Sequence, residues 1–174
     1  MSIHLQQMRV THTTANISDA GTDDRVDLQF FIDPHPRTSY PFRGWRTIKL
    51  DSARDDRKRG VTESYPIDFT EGNIGINVSG TNVPRGIAFE SFARVRCAAF
   101  FLVIRGSDWW RAQNYRVEGH FEEMRFIPGS IDSSEIVDHG WLEMSVRSLP
   151  LDMSTDSSEG VAWHHLIIDG ALPV

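Results

Sequence analysis

The chain has 174 residues, enough for one domain with a full two-layer core, and its apolar fraction of 40% and charged fraction of 24% are ordinary for a soluble globule. The formal net charge of −6 argues against a general nucleic-acid binder. It also disfavours adhesion to anionic lipid unless a cation or a local basic patch reverses the field. The single cysteine, Cys97, excludes an internal disulfide and is expected to be a small buried hydrophobe.

The first residues carry no basic segment followed by a hydrophobic stretch, so no signal peptide is expected. No apolar run approaches the roughly 20 residues that are needed to span a bilayer. The chain is therefore expected to be soluble or membrane-peripheral.

Strand signals outnumber helix signals along the whole chain. In chain order, alternating or apolar segments predict strands at 9–17, 25–32, 46–50, 64–69, 74–78, 93–104, 115–121, 142–146 and 161–168. Turn residues separate these segments at short intervals, which is typical of an antiparallel β-sandwich. A single domain over 1–174 is the simplest organisation.

The sequence predicts a particular structure for each of three other segments. The apolar run 97–104 has no polar stripe or helix cap, so it predicts a fully buried central strand. A short helical turn is expected near 109–114. The polar segment 154–160 is expected to form a loop that connects two strands.

Acidic residues recur where predicted strands meet turns. They form the clusters Asp19, Asp23 and Asp24, then Asp51, Asp55 and Asp56, and finally Asp108. Because the loops of a sandwich meet at the two ends of its sheets, these clusters are expected to converge. Carboxylates and carbonyls on such loops are ligands that calcium prefers, although Asp is also common in ordinary turns. Both interpretations stay open on local sequence alone.

The order of four motifs resembles the PLAT, or lipoxygenase-homology, domain family. The motifs are DAGTDDRVDLQFF, GWRTIKLDSARDDRKRG, VTESYPIDF and GSDWWRAQNYRVEG, and the resemblance spans about 8–126, with further strands and a tail in 127–174. Within the family, the chain is similar to the calcium-binding, membrane-docking C-terminal domain of clostridial phospholipase C alpha-toxins, which also opens with an Asp-Ala-Gly-Thr-Asp-Asp turn. The resemblance implies an antiparallel eight-stranded β-sandwich.

The resemblance also implies two calcium sites. The first would use the carboxylates of Asp19 and Asp108 and the carbonyls of Gly21 and Trp109. The second would draw on the acidic residues of the next loop, which are Asp51, Asp55 and Asp56. That loop departs from the family pattern at 52–54, and Arg57 stands where an aromatic residue is usual. Asp23 and Asp24 are expected to shape the turn instead of binding the ion.

Aromatic residues beside the acidic loops are candidates for contact with a membrane or partner. Adjacent residues of a strand face opposite ways, so at most one of Trp109 and Trp110 can pack inward, and the other would lie at the rim. Trp favours the headgroup level of a bilayer. Either residue could act as such an anchor, helped by Trp45 or Phe42.

No nucleophile elbow, phosphate-binding loop or dinucleotide motif occurs, so no catalytic activity is expected. The sequence predicts a non-catalytic, calcium-assisted module that binds membrane lipid or a lipid-associated partner. Two alternatives remain open, namely a protein-interaction module without metal and a carbohydrate-binding sandwich.

Overall fold

A computed structural model describes residues 2–31, 45–50, 57–69, 86–129, 134–147 and 150–173. These residues form two antiparallel sheets that pack face to face, which confirms the predicted β-sandwich. The described part contains one short helix, α1 (Phe92–Val95), and ten strands instead of eight. The strands are β1 (Ser2–Thr14), β2 (Val26–Phe31), β3 (Trp45–Leu50), β4 (Thr62–Asp68), β5 (Ile87–Phe89), β6 (Ala99–Ile104), β7 (Trp110–Phe126), β8 (Ser134–Arg147), β9 (Leu151–Met153) and β10 (Trp163–Leu166).

The larger sheet has the order β4-β1-β7-β8, with β5 paired to β1 and β9 paired to β7. The smaller sheet has the order β10-β6-β2-β3. Every pairing between these strands is antiparallel. No helix among the described residues has the length and apolarity that a bilayer span requires.

Alternation along the strands builds the core between the sheets. In β2, Val26, Leu28 and Phe30 are buried, as the sequence pattern predicts. In β1, a register shift between Leu5 and Gln7 changes which positions face inward, because an extra residue reverses the side-chain phase.

The segment 93–104 is not one buried strand. Its first part belongs to α1, where Phe92 and Val95 bury the same face at a helical spacing of three. A turn follows, and Cys97 in that turn is exposed, so the expectation of a buried thiol was wrong. A short apolar run does not distinguish strand from buried helix, which explains the error.

Two further differences concern short segments. The expected turn near 109–114 lies in the first part of β7, which begins at Trp110. The three-residue strands β5 and β9 were missed because they are too short to display a period. The predicted strand at 74–78 lies outside the described residues.

His4 gives the fold a predicted pH dependence. Its side chain is buried, only one ring nitrogen has a hydrogen-bond partner in the described part, and burial lowers its pKa from 6.5 to about 4. Between these values the unfolded chain binds a proton that the folded chain does not, so the free energy of unfolding should fall with decreasing pH. The loss should reach about 3 kcal/mol near pH 4. Denaturant unfolding at several pH values should show that the free energy of unfolding depends less on pH in His4→Gln than in the wild type. His165→Gln, at an exposed position, should show the same dependence as the wild type.

Candidate functional site

Four connections cross between the two sheets at one end of the sandwich, which we call the crossing end. They are the β1–β2, β3–β4, β6–β7 and β9–β10 connections, the second described over 57–61. Backbone hydrogen bonds tie them to one another or to neighbouring strands. Thr14 donates to the carbonyl of Val61 at 3.0 Å, Arg111 donates to Ala20 at 3.0 Å and Thr155 donates to Gly106 at 3.0 Å.

The turn 19–24 and the loop 106–109 exchange hydrogen bonds through two aspartates. The backbone N–H of Asp108 donates to the Asp24 carboxylate at 2.7 Å, and the backbone N–H of Asp23 donates to the Asp108 carboxylate at 3.2 Å. Inside the turn, the N–H of Asp24 donates to the Thr22 hydroxyl at 2.9 Å. This places the two predicted acidic loops side by side, as the sequence predicts, and Asp24 holds them together.

Two glycines permit this close approach. A side chain at Gly106 would collide with the Asp24 carboxylate, since its Cβ would overlap the carboxylate oxygens. A Cβ at Gly21 would lie 2.8 Å from the carbonyl oxygen of Arg57. Gly21 therefore brings the β1–β2 turn against the β3–β4 connection, so that three connections meet.

The predicted first calcium site is distributed over these loops. Asp19 and Asp108 are both exposed, and Asp19 has a left-handed backbone conformation with φ of 59°. One oxygen of Asp108 accepts the Asp23 N–H, and the other accepts no hydrogen bond within the described part. The described residues contain no group of three or more His, Cys, Asp or Glu side chains placed to hold a metal. Asp51, Asp55 and Asp56 of the predicted second site lie outside the described residues.

Trp110 is a core residue, so its expected role in membrane or partner contact was wrong. Its side chain is fully buried, its ring N–H donates to the Thr14 hydroxyl at 3.1 Å, and its ring packs edge-on against His12. It is the first residue of β7, where the strand register directs it between the sheets.

Trp109 lies at the rim, but neighbours hold it in place. Its ring N–H donates to Asp152 at 3.1 Å, and the Arg111 guanidinium lies over its ring at 5.0 Å. Arg111 also makes two hydrogen bonds to Asp152, which lowers the pKa of that carboxyl. Trp109 is only partly exposed. Phe42 lies outside the described residues, and Trp45 begins β3 with its side chain outside the described part.

The most exposed aromatic residue in the described part of the crossing end does not stand out in the sequence. Trp163, the first residue of β10, is 61% exposed. Three more large apolar side chains are exposed on the connections of the same end, namely Ile17, Val61 and Val161. These residues lie at the first position of a strand or in the connections outside the strands, where the period of two no longer assigns a face, so the sequence carries no signal for them.

Arg57 is a charged residue that lies inside the sandwich. It is buried with φ of 61°, donates to the carbonyl of Leu50 at 2.9 Å, and donates to the Tyr65 hydroxyl at 3.4 Å. Its guanidinium therefore links the end of β3 to β4 inside the sandwich.

Comparison with known proteins supports the fold. No family model matches the chain, and no curated protein matches it in sequence. Among solved structures, the fold is similar to an alpha toxin from Clostridium absonum, with 13% identity and a TM-score of 0.53. The match covers 94% of this chain and 31% of the toxin chain. The chain thus shares its fold with a part of that toxin.

The hydrogen bond between Asp24 and Asp108 should contribute measurably to stability. We expect Asp24→Ala to lower the free energy of unfolding by about 1–3 kcal/mol, because it removes a charged acceptor from the Asp108 N–H. Asp23→Ala makes the same change in charge at a carboxylate that accepts no hydrogen bond in the described part, and should stay within about 0.5 kcal/mol of wild type. Denaturant unfolding of both variants makes the comparison; equal losses would contradict the role given to Asp24.

Proposed function

We propose that this chain is a non-catalytic module that docks reversibly on a membrane lipid surface through its crossing end, with assistance from calcium. The observation that carries the proposal is the group of exposed apolar side chains around the two joined acidic loops. These side chains are Ile17, Val61, Val161 and Trp163. Exposed apolar residues are ordinary when they are scattered singly, whereas a group of them beside charged loops is typical of an interaction surface.

Trp163 is the principal anchor in this proposal. It combines a large apolar ring with an indole N–H, a combination that favours the headgroup level of a bilayer. Burying one such side chain contributes about 1.5–3 kcal/mol, so a few of them give reversible binding and not a permanent anchor. Trp109 then acts at the rim, where Asp152 and Arg111 orient it.

Calcium would act on the acidic side of this surface. The types of residue present support a hard cation, because Asp19 and Asp108 are exposed carboxylates on two adjacent loops, and the backbone carbonyls of Gly21 and Trp109 belong to the same loops. When bound, the ion supplies positive charge that offsets these carboxylates. The chain carries a net charge of −6, so this offset would lower its repulsion from an anionic lipid surface.

A protein-binding role has support at the opposite end of the sandwich. The tip of the β7–β8 hairpin exposes Phe126, Ile127 and Ile136. An apolar hairpin tip of this kind also suits a protein partner, with no need of metal or lipid. The similarity in fold to a toxin that is longer than this chain is compatible with a module that works beside other domains.

Vesicle co-sedimentation tests the docking proposal. We expect Trp163→Ala to weaken binding to phospholipid vesicles about tenfold, because it removes the exposed anchor. Trp141→Ala is the matched control, since Trp141 is also exposed but lies on β8, on the outer face of the other sheet. Binding in calcium should exceed binding in a calcium chelator, and Asp108→Asn should remove that difference.

Two outcomes would contradict parts of this proposal. Equal binding of wild type and Trp163→Ala would exclude Trp163 as the anchor. Equal binding with calcium and with chelator would remove the metal from the proposal while leaving the docking surface in place.

A further inference from the structure

Two arginines share one buried carboxylate on the outer face of the smaller sheet. Arg25 and Arg105 lie opposite each other next to β2 and β6, where the Arg105 N–H donates to the Arg25 carbonyl at 2.9 Å. Their side-chain Nε atoms bind the two oxygens of Asp27, at 2.5 Å and 3.0 Å. The Asp27 side chain is fully buried, whereas the arginine side chains are 50% and 46% exposed. The carboxylate holds two like charges together that would otherwise repel each other.

The arginine pair carries positive charge and N–H donors that the Asp27 carboxylate does not use. Two guanidinium groups on one carboxylate carry a net charge of +1. In the described part of the chain, both arginine side chains bond only through Nε, so their terminal nitrogens keep their donors for another group. Planar guanidinium donors match the oxygens of a phosphate, and their fixed geometry on Asp27 reduces the ordering that binding requires.

An apolar groove of about 750 Å³ lies directly beside Arg105. Phe101, Val103, Ala162 and Trp163 line it together with Arg105. The Trp163 ring packs edge-on against Phe101 at 5.7 Å, and Phe101 in turn stacks against His165 at 4.8 Å. The groove thus combines a supported aromatic wall with a cation at its rim, and its volume is that of an ordinary ligand site.

We propose that this groove and the arginine pair bind the phosphate of an anionic phospholipid headgroup, with the apolar wall in contact with the rest of the lipid. The proposal rests on the docking function described above and specifies the lipid class for the same surface. A neutral sugar would pack against the aromatic wall but would not pair with the surplus positive charge. A free phosphate would pair with the arginines but would not fill the apolar groove.

The location of the arginine pair also bears on the repulsion between the acidic loops and an anionic lipid surface. The turn 19–24 and Asp108 carry exposed carboxylates, and an anionic lipid surface repels them. Arg25 follows that turn directly, and Arg105 precedes the loop that carries Asp108, so the positive pair lies at the same end of the sandwich. Calcium and the arginine pair would thus attract phosphate independently at adjacent positions.

Vesicle binding in a calcium chelator isolates the contribution of the arginines. The probes are vesicles of phosphatidylcholine alone and vesicles in which part of it is replaced by phosphatidylserine. Wild type should prefer the phosphatidylserine vesicles, and Arg105→Gln should bind them about five- to tenfold more weakly. Arg116→Gln is the matched control, because Arg116 is 55% exposed and is also paired with a single carboxylate, Glu143, on the larger sheet. It should retain the wild-type preference.

The variants and outcomes separate this proposal from the docking function. Arg105→Lys keeps the charge but loses the planar donors, so it should bind between wild type and Arg105→Gln, and thermal unfolding confirms that each variant is folded. Equal binding of wild type and Arg105→Gln, or no preference for phosphatidylserine, would overturn the headgroup proposal while docking stands. Binding of inorganic phosphate by a protein that does not bind the vesicles would identify a free-anion site and overturn the lipid assignment. Failure of wild type to bind either vesicle, even with calcium, would overturn docking itself.

Discussion

Two hydrogen bonds exchanged between the turn 19–24 and the 106–109 loop are the constraint on which the crossing end depends. The turn 19–24 lies in the connection from the larger sheet to the smaller one, and the loop 106–109 lies in a connection that leads back to the larger sheet. Each bond therefore joins two connections that are distant in sequence. The Gly106 position leaves room for the Asp24 carboxylate, and the Gly21 position leaves room for Arg57. With these contacts in place, acidic, apolar and basic side chains that are distant in sequence form one surface.

That surface contains two kinds of charge that act on the same type of ligand. In our proposal, the exposed aspartates attract calcium, and the bound ion would attract phosphate. The arginine pair would attract phosphate directly, while Asp27 remains buried beneath it. Trp163 and the other exposed apolar side chains would add a favourable free energy of binding when contact with a lipid surface removes them from water. An overall acidic chain can in this way have a region that suits an anionic surface.

The sandwich could be predicted from the alternation of residues such as Val26, Leu28 and Phe30, and the meeting of the acidic loops followed from that architecture. Asp24 was expected to shape its own turn, and its carboxylate joins that turn to the 106–109 loop, a contact that the local sequence does not indicate. Burial of Trp110 could not be predicted, because alternation allows either member of the Trp109–Trp110 pair to face inward and only the register of β7 decides. The exposure of Trp163 and the burial of Arg57 depend on packing between distant strands, which a local pattern does not contain. The calcium ligands stay a prediction from the family resemblance.

Hydrogen–deuterium exchange of the whole chain, with and without phospholipid vesicles, measures most directly which surface meets the membrane. Docking through the crossing end predicts that vesicles slow exchange in 15–25, 105–109 and 154–163, and leave the β7–β8 hairpin tip around 126–136 unchanged. Vesicle binding accompanied by protection of the hairpin tip, with unchanged exchange in the three crossing segments, would contradict this account.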